Sequence, residues 1–499
     1  MAVTRATHPH APPATTGNYQ FALIVLGCAL VVRLATMAIF PLTDTTEARY
    51  GEIARLMLET GDWITPYFDY GVPFWGKPPL AFWLEAGSYG LFGVNEFAGR
   101  LPSLLATLAS AACLYRFVRE FWNRQAGLWA VVIFATSAVV FVNAGAILTD
   151  PFLAFGTTLS MVSLAMATRH SRSSWRYFFF VGLAIGLLAK GPIAVILVAG
   201  PVGIWVVLKN QWSVVWRAVP WFRGLFLTAV LTLPWYVAAE LKTPGFIEYF
   251  IVGEHWKRFT EAGWQGDLYG SAHKRTLGTI WLYWLGASFP WGLVALWRFL
   301  PDALNKGGRS ALFAAAMKTR TVYLLSWALF PMVFFTFAGN ILWTYVLPAL
   351  PALAVLLAVS ITDATGTVGI SRRLLTGSAL IGTILLAAFV AYAQFDPSVV
   401  RTQKYLVQIF DARRQGTSPL LYVQDRPFSA RFYTQGQARL STVKELASNL
   451  AAGSVDAGFV VVPNHLRTNI EKLFPVPPDI LFTSRRFTLY GLAPSPAPK

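Results

Sequence analysis

Carboxylates and cations gather where the apolar segments of this chain end. Asp44 and Glu47 follow the first apolar run, Lys77 lies further along the same loop, and Asp150 opens a later run. Lys190 closes another, and the run Glu254-His255-Trp256-Lys257-Arg258, His273 and Tyr345 fall at further ends. Such a set suits transfer of a group from a lipid phosphate. Cations stabilise the departing phosphate, and a carboxylate accepts a proton from the nucleophile or orients it. The first loop is the most unusual part: between Pro41 and Glu96 eight acidic residues face Arg49, Arg55 and Lys77, in a chain of formal net charge +17. Ionisable groups are costly to keep near hydrocarbon, so their concentration there points to a site.

Each of these residues also has a plainer reading. Asp44 and Glu47 have the spacing of a capping box, which accounts for both acids without chemistry. Asp150 before Pro151 starts a helix, and Lys190 before Gly191-Pro192 ends one. His255 and His273 read equally as solvated loop histidines; with nearby carboxylates they permit a divalent metal, His255 being the candidate ligand, but do not require one. Trp63, Trp75, Trp83, Trp256 and Trp264 fit an interfacial belt as well as a sugar-stacking surface. Convergence on one membrane face is what favours the chemical reading of Asp44, Glu47, Asp150, Lys77, Lys190, Arg258 and Tyr345.

The elements that must position them are membrane helices. With 55% hydrophobic and 13% charged residues, the chain reads as a polytopic α-helical membrane protein. Its apolar runs predict about eleven transmembrane helices. Basic residues recur in alternate loops, at Arg116, Arg119 and Arg124, then Arg169, Arg172 and Arg176, then Lys209, Arg217 and Arg223, and again at Arg298 to Arg320 and at Arg372-Arg373. The positive-inside rule puts those loops in the cytoplasm and the acidic loop outside. Topology and anionic lipid explain the positive charge, so a nucleic-acid partner is not indicated. The expected division is a cytoplasmic tail 1–18, a transmembrane catalytic domain 19–395 with outward loops 41–96 and 240–275, and an outward domain 396–499. Two interfacial helices are expected in the first loop, at 48–58 and 79–92. Short strands alternate with helices after Phe395, predicting a small α/β domain. Cys28 and Cys113 sit in different predicted spans and offer no disulfide framework. No glycine-rich phosphate loop is present.

From about residue 40 to 350 the chain resembles bacterial 4-amino-4-deoxy-L-arabinose transferases, within the protein-mannosyltransferase-related GT-C glycosyltransferases. The matching stretches are TEARYGEIARLML, GDWITPYF, GKPPLAFWL, LFGVNEFAGRLP, AILTDPFLAF, LAKGP, GEHWKRF, and YLLSW followed by WTYVLP. The resemblance implies a GT-C fold and inverting transfer of a sugar from polyprenyl phosphate to an envelope acceptor such as lipid A, at the periplasmic face of a bacterial inner membrane. It carries Arg49 and Tyr50 over as the Arg-Tyr signature, Lys77 as the lysine of Lys-Pro-Pro, Asp150 as Asp-Pro, Lys190 as Lys-Gly, His255 and Arg258 as the loop pair, and Tyr345 as Thr-Tyr.

Three departures stand out. The usual Asp-Glu-x-Arg-Tyr is Thr46-Glu47-Ala48-Arg49-Tyr50, which moves the catalytic aspartate to Asp44 or replaces it by Glu47. Gly76 stands where a glutamate usually precedes Lys-Pro-Pro; that glutamate and the loop histidine are associated with zinc in the arabinose transferases. Asn340-Ile341-Leu342-Trp343 replaces a lysine-containing segment. Together they imply a different sugar or acceptor. The expected machinery is Asp44, with Glu47 in reserve, as catalytic carboxylate, Asp150 orienting it or the acceptor, and Lys77, Lys190 and Arg258 on the phosphate. A protein O-mannosyltransferase and a lipid or glycan transporter are the alternatives.

Overall fold

The computed structural model describes residues 16–170, 173–270, 273–362, 372–414, 418–451, 458–474 and 476–492. Most of the expected tail 1–18, and Arg172 of the basic series, lie outside these residues. Among them, six helices are long and apolar enough to cross a membrane: Gln20–Ile39, Glu96–Phe121, Asp150–Arg169, Trp221–Lys242, Trp343–Thr362 and Leu374–Phe395. A seventh span arises if Thr279–Ala287 and Trp291–Leu304, bent by 109° at their break, count as one. The expected eleven included runs that the backbone shortens or divides. The run 126–147 splits at Ser137, whose extended ψ of 134° separates Arg124–Thr136 from Ala138–Asn143. The two runs expected on either side of Gly191-Pro192 form Trp175–Lys190 and Ile193–Lys209, of only 16 and 17 residues.

In chain order the helices through the middle of the bundle are α1 (Thr16–Ile39), α2 (Thr46–Thr60), α3 (Leu80–Phe92), α4 (Glu96–Phe121), α5 (Arg124–Thr136), α6 (Ala138–Asn143), α7 (Asp150–Arg169), α8 (Trp175–Lys190), α9 (Ile193–Lys209), α10 (Trp212–Ala218) and α11 (Trp221–Lys242). Helix α7 is the centre, buried along almost its whole length. It meets α8 so closely that a Cβ on Gly156 would lie 2.7 Å from the Gly182 carbonyl oxygen. Small residues permit this backbone approach, which gives membrane helices close packing in the absence of a hydrophobic drive. Asp150 therefore sits at the N-terminus of the most deeply buried of the six membrane-length helices among the described residues.

The first loop folds as α2, a short hairpin of β1 (Tyr67–Asp69) and β2 (Val72–Pro73), and α3. Tyr50, Ile53 and Met57 bury one face of α2, as their helical spacing requires. The remaining faces are also covered, from Glu47 to Met57, because helix Phe428–Tyr433 of the C-terminal region packs on α2. Tyr50, Phe74 and Phe82 meet edge to face, with centroids 5.5–6.1 Å apart, and Phe428 packs against the same cluster through Phe68.

The C-terminal region holds a five-stranded sheet ordered β4 (Ala438–Ser441), β3 (Leu420–Val423), β5 (Phe459–Pro463), β7 (Phe487–Gly491) and β6 (Asp479–Thr483). β3 runs parallel to β4 and β5, whereas β7 is antiparallel to β5 and β6. Alternate residues serve opposite faces: Leu420, Tyr422 and Val461 enter one apolar cluster, Val423, Val460 and Val462 the other. Burial on both faces explains the nearly unbroken apolar strand FVVV.

Candidate functional site

A cavity of about 510 Å³ opens between the first loop, the N-terminus of α7, the C-terminus of α8 and the loop before Thr279. It collects Arg49, Tyr50, Lys77, Asp150, Lys190, His255, Arg258 and Tyr345, eight of the ten residues singled out from sequence. Lys190 Nζ donates to Asp150 Oδ1 at 2.8 Å and lies 5.3 Å from the centre of the Tyr345 ring. Helix α7 begins at Asp150 after an N-cap at Thr149 that makes no side-chain bond, so the carboxylate pairs with lysine instead of capping. Across the cavity Lys77 Nζ donates to Glu254 Oε2 at 3.1 Å, and Arg258 Nη1 to Glu254 Oε1 at 2.9 Å. The same guanidinium lies 3.3 Å from Asp267 Oδ2. Arg49 lies over the Tyr50 and Phe74 rings and donates to the Tyr269 carbonyl; among the described residues no carboxylate pairs with it.

Asp44 and Glu47, the expected catalytic carboxylates, do not reach this cavity. Asp44 turns toward the C-terminal region, where its Oδ1 accepts from the Ser429 backbone N–H at 2.9 Å and its Oδ2 from the Ser429 hydroxyl. Thr45 is the N-cap residue of α2 and makes no side-chain bond, so the capping-box reading of Asp44 fails as well. Burial raises the Asp44 carboxyl above its ordinary value against the Ser429 donors, a common mark of catalytic acids that here accompanies a clasp between domains. Glu47 takes a salt bridge of 2.8 Å from buried Arg100 and accepts from Thr43 N–H and Oγ, each at 3.1 Å. Arg100 also donates to the Met37, Phe40 and Pro41 carbonyls, so this pair ties the end of α1 to the start of α2. Replacing Asp44 by alanine is expected to lower stability by about 1–3 kcal/mol through the stranded Ser429 donors, with activity kept within about tenfold. Thermal unfolding and turnover of the purified variant measure both.

Of four further contributors, Asp267 and Tyr269 were absent from the sequence expectation, while Glu254 and Asn340 stood in it without the roles they take here. Glu254 centres the double ion pair; its position four residues before Arg258 was the available signal. Asp267 and Tyr269 carry no motif. Tyr269 is placed by bonds with Pro73 O at 2.9 Å and Trp75 N at 3.0 Å, which join the two outward loops. Asn340 donates to the Arg258 and Glu261 carbonyls at 2.7 Å and accepts from Gly263 N at 3.0 Å, holding the turn that presents Arg258.

Burial alone would raise Glu254, but Lys77 and Arg258 outweigh it and hold the carboxyl below its ordinary value. The sign follows by linkage. The stability from this network is complete above the ordinary glutamate value of 4.5 and is lost as pH falls through the lower folded-state value. An unfolding midpoint measured against pH is expected to decline in that acidic window, and Glu254→Gln to flatten the decline.

A family model described as dolichyl-phosphate-mannose-protein mannosyltransferase matches residues 21–250. The undecaprenyl phosphate-alpha-4-amino-4-deoxy-L-arabinose arabinosyl transferase of Yersinia pestis (strain Pestoides F) is 31% identical over 334 residues, 64% of this chain and 56% of the relative. Its Yersinia enterocolitica counterpart is 32% identical over 352 residues, covering 68% and 59%. The crystal structure of ArnT from Cupriavidus metallidurans bound to undecaprenyl phosphate superposes with TM-score 0.77 at 17% identity, over 96% of this chain and 98% of that one. The chain resembles the ArnT-like GT-C glycosyltransferases in sequence and shares the fold of ArnT. It spans somewhat more than half the length of the Yersinia relatives it matches.

Within this GT-C framework the departures take on a geometry. Thr46, at the place of the family's first aspartate, lines the cavity where Asp44 and Glu47 do not. The residues do not fit the metal that the resemblance implied. His255 Nδ1 lies 2.7 Å from the Phe250 carbonyl oxygen and Nε2 3.0 Å from that of Lys190, so each ring nitrogen faces a backbone carbonyl and not a space for an ion. Gly76 supplies no carboxylate, and the described residues contain no group of three or more His, Cys, Asp or Glu able to hold an ion. Burial keeps His255 below the ordinary histidine value, against carbonyls that favour its protonation.

Proposed function

We propose that this protein is an inverting glycosyltransferase, moving a sugar from a polyprenyl-phosphate donor to an envelope acceptor such as lipid A or a related glycolipid. The observation that carries the reading is the cavity itself: four cations, Arg49, Lys77, Lys190 and Arg258, converge beside Asp150 at the end of a membrane-spanning helix. Lys77 and Arg258 bind the lipid phosphate from one side and Arg49 from the other, stabilising the charge that grows as the leaving group departs. Asp150 accepts the proton of the acceptor hydroxyl as its oxygen bonds to the anomeric carbon. The bond from that carbon to the phosphate oxygen breaks in the same displacement, and polyprenyl phosphate leaves with the electron pair. Lys190 fixes Asp150 and compensates its charge. The proposed division is a transmembrane catalytic domain 19–395 and a soluble domain 396–499, with the cavity on the periplasmic side of a bacterial inner membrane. The basic loops between spans support that orientation.

Purified protein incubated with undecaprenyl-phosphate sugars and envelope lipids is expected to release undecaprenyl phosphate only when both substrates are present. Release dependent on a Ser/Thr-rich peptide would instead favour the protein O-mannosyltransferase reading, for which the matched family model speaks. Movement of intact donor across proteoliposomes without release would support a transporter.

A further inference from the structure

We infer that the transferred sugar is neutral and hydroxyl-rich, in contrast to the amino sugar for which the Yersinia relatives are named. The inference rests on the transferase reading and specifies its substrate class. The cavity carries three carboxylates, and each is already bound to a cation of the protein: Asp150 to Lys190, Glu254 to Lys77 and Arg258, and Asp267 to Arg258. Four cations against three carboxylates leave a surplus positive charge near Arg49. The lipid phosphate takes up that surplus, which leaves no carboxylate to receive a substrate ammonium. An ammonium desolvated among these groups would meet like charge, which disfavours its binding.

The same wall offers neutral hydrogen-bonding atoms in need of partners. Asn143, 1% exposed, donates its amide to the Val139 carbonyl at 2.7 Å, yet its Oδ1 is buried with no partner among the described residues. Thr149, also 1% exposed, has a buried Oγ1 without a partner, one residue before Asp150. Thr45 and Thr46 line the cavity at the N-terminus of α2. Buried polar oxygens without partners are costly, and a ligand that hydrogen-bonds to them recovers that cost. Sugar hydroxyls both donate and accept, and so match threonine hydroxyls and an amide oxygen. Thr46 is the decisive residue because a carboxylate there would enter the cavity three residues from Arg49 and offset the surplus positive charge that an ammonium would meet.

The test compares donors in one assay. Undecaprenyl phosphate carrying glucose, galactose, mannose or arabinose, and undecaprenyl phosphate carrying 4-amino-4-deoxyarabinose, are each mixed with purified full-length protein and native envelope lipids. Released undecaprenyl phosphate is quantified by mass spectrometry. At least one neutral donor is expected to turn over about 100-fold faster than the amino-sugar donor, and Thr46→Asp to narrow that ratio about tenfold. The aspartate stands in the first turn of α2, where the helix dipole tolerates it, so the variant keeps the fold. Equal or faster turnover of the amino-sugar donor by the unaltered protein overturns the inference and leaves the transferase reading standing. Release from none of the five donors overturns the transferase reading itself.

Discussion

Asp150→Asn is expected to lower turnover by about 10³-fold while the protein stays folded in detergent. The substitution keeps size and shape and removes only the charge that receives the acceptor proton, a role worth about 10²–10⁴ in rate. Lys190 still finds an oxygen on asparagine, so the end of α8 should keep its place, and donor binding measured by equilibrium methods should change by less than about tenfold. The informative control is Asp44→Asn, whose carboxylate clasps Ser429 outside the cavity. Its expected signature is lost thermal stability with most activity retained. An inactive, fully folded Asp44 variant beside an active Asp150 variant would reverse the assignment.

That pair of variants bears on what the sequence could reveal. Eight acids in the first loop looked like an active site, yet none of them lines the cavity. Asp44, Asp69 and Glu96 bind Ser429, Arg426 and Lys404 of the C-terminal region. Glu47 and Glu52 neutralise buried Arg100 and Arg55, Asp62 pairs with Lys242, and Glu59 joins Arg55 and Tyr70. Glu85 is fully buried without a partner, and burial pushes its carboxyl well above the ordinary value. The charge anomaly was real, but its principal use is to fasten a loop between a bundle and a covering domain. A linear reading has no means of seeing residues 404–431 from residue 44. By contrast Asp150, Lys190 and Tyr345 were legible because hydropathy fixes which helix ends share a face. The membrane class and the α/β character of the last hundred residues were legible through composition and period. The number of spans was less so, since Ser137 interrupts a run whose mean apolarity gives no warning, and the helices on either side of the expected break at Gly191-Pro192 are only 16 and 17 residues long.

Arg258→Ala carries the second large effect, and it separates phosphate binding from mere loop architecture. One guanidinium holds Glu254 and Asp267, whose side chains are 5% and 7% exposed. Its removal leaves Asp267 without its cation and Glu254 with Lys77 alone. Stranding a buried charge in this way costs about 3–5 kcal/mol, so a lower unfolding temperature is expected. Loss of a charge-assisted contact to the lipid phosphate should also weaken undecaprenyl phosphate binding by about 100-fold. Arg258→Lys keeps the positive charge but cannot span two carboxylates and a phosphate with one ammonium, so it should recover stability in part and affinity less. The double variant Arg258→Ala, Glu254→Gln removes the stranded glutamate and should regain stability without regaining affinity. If affinity returned together with stability, Arg258 would be a brace for the loop, and the phosphate contact would pass to Lys77 and Arg49.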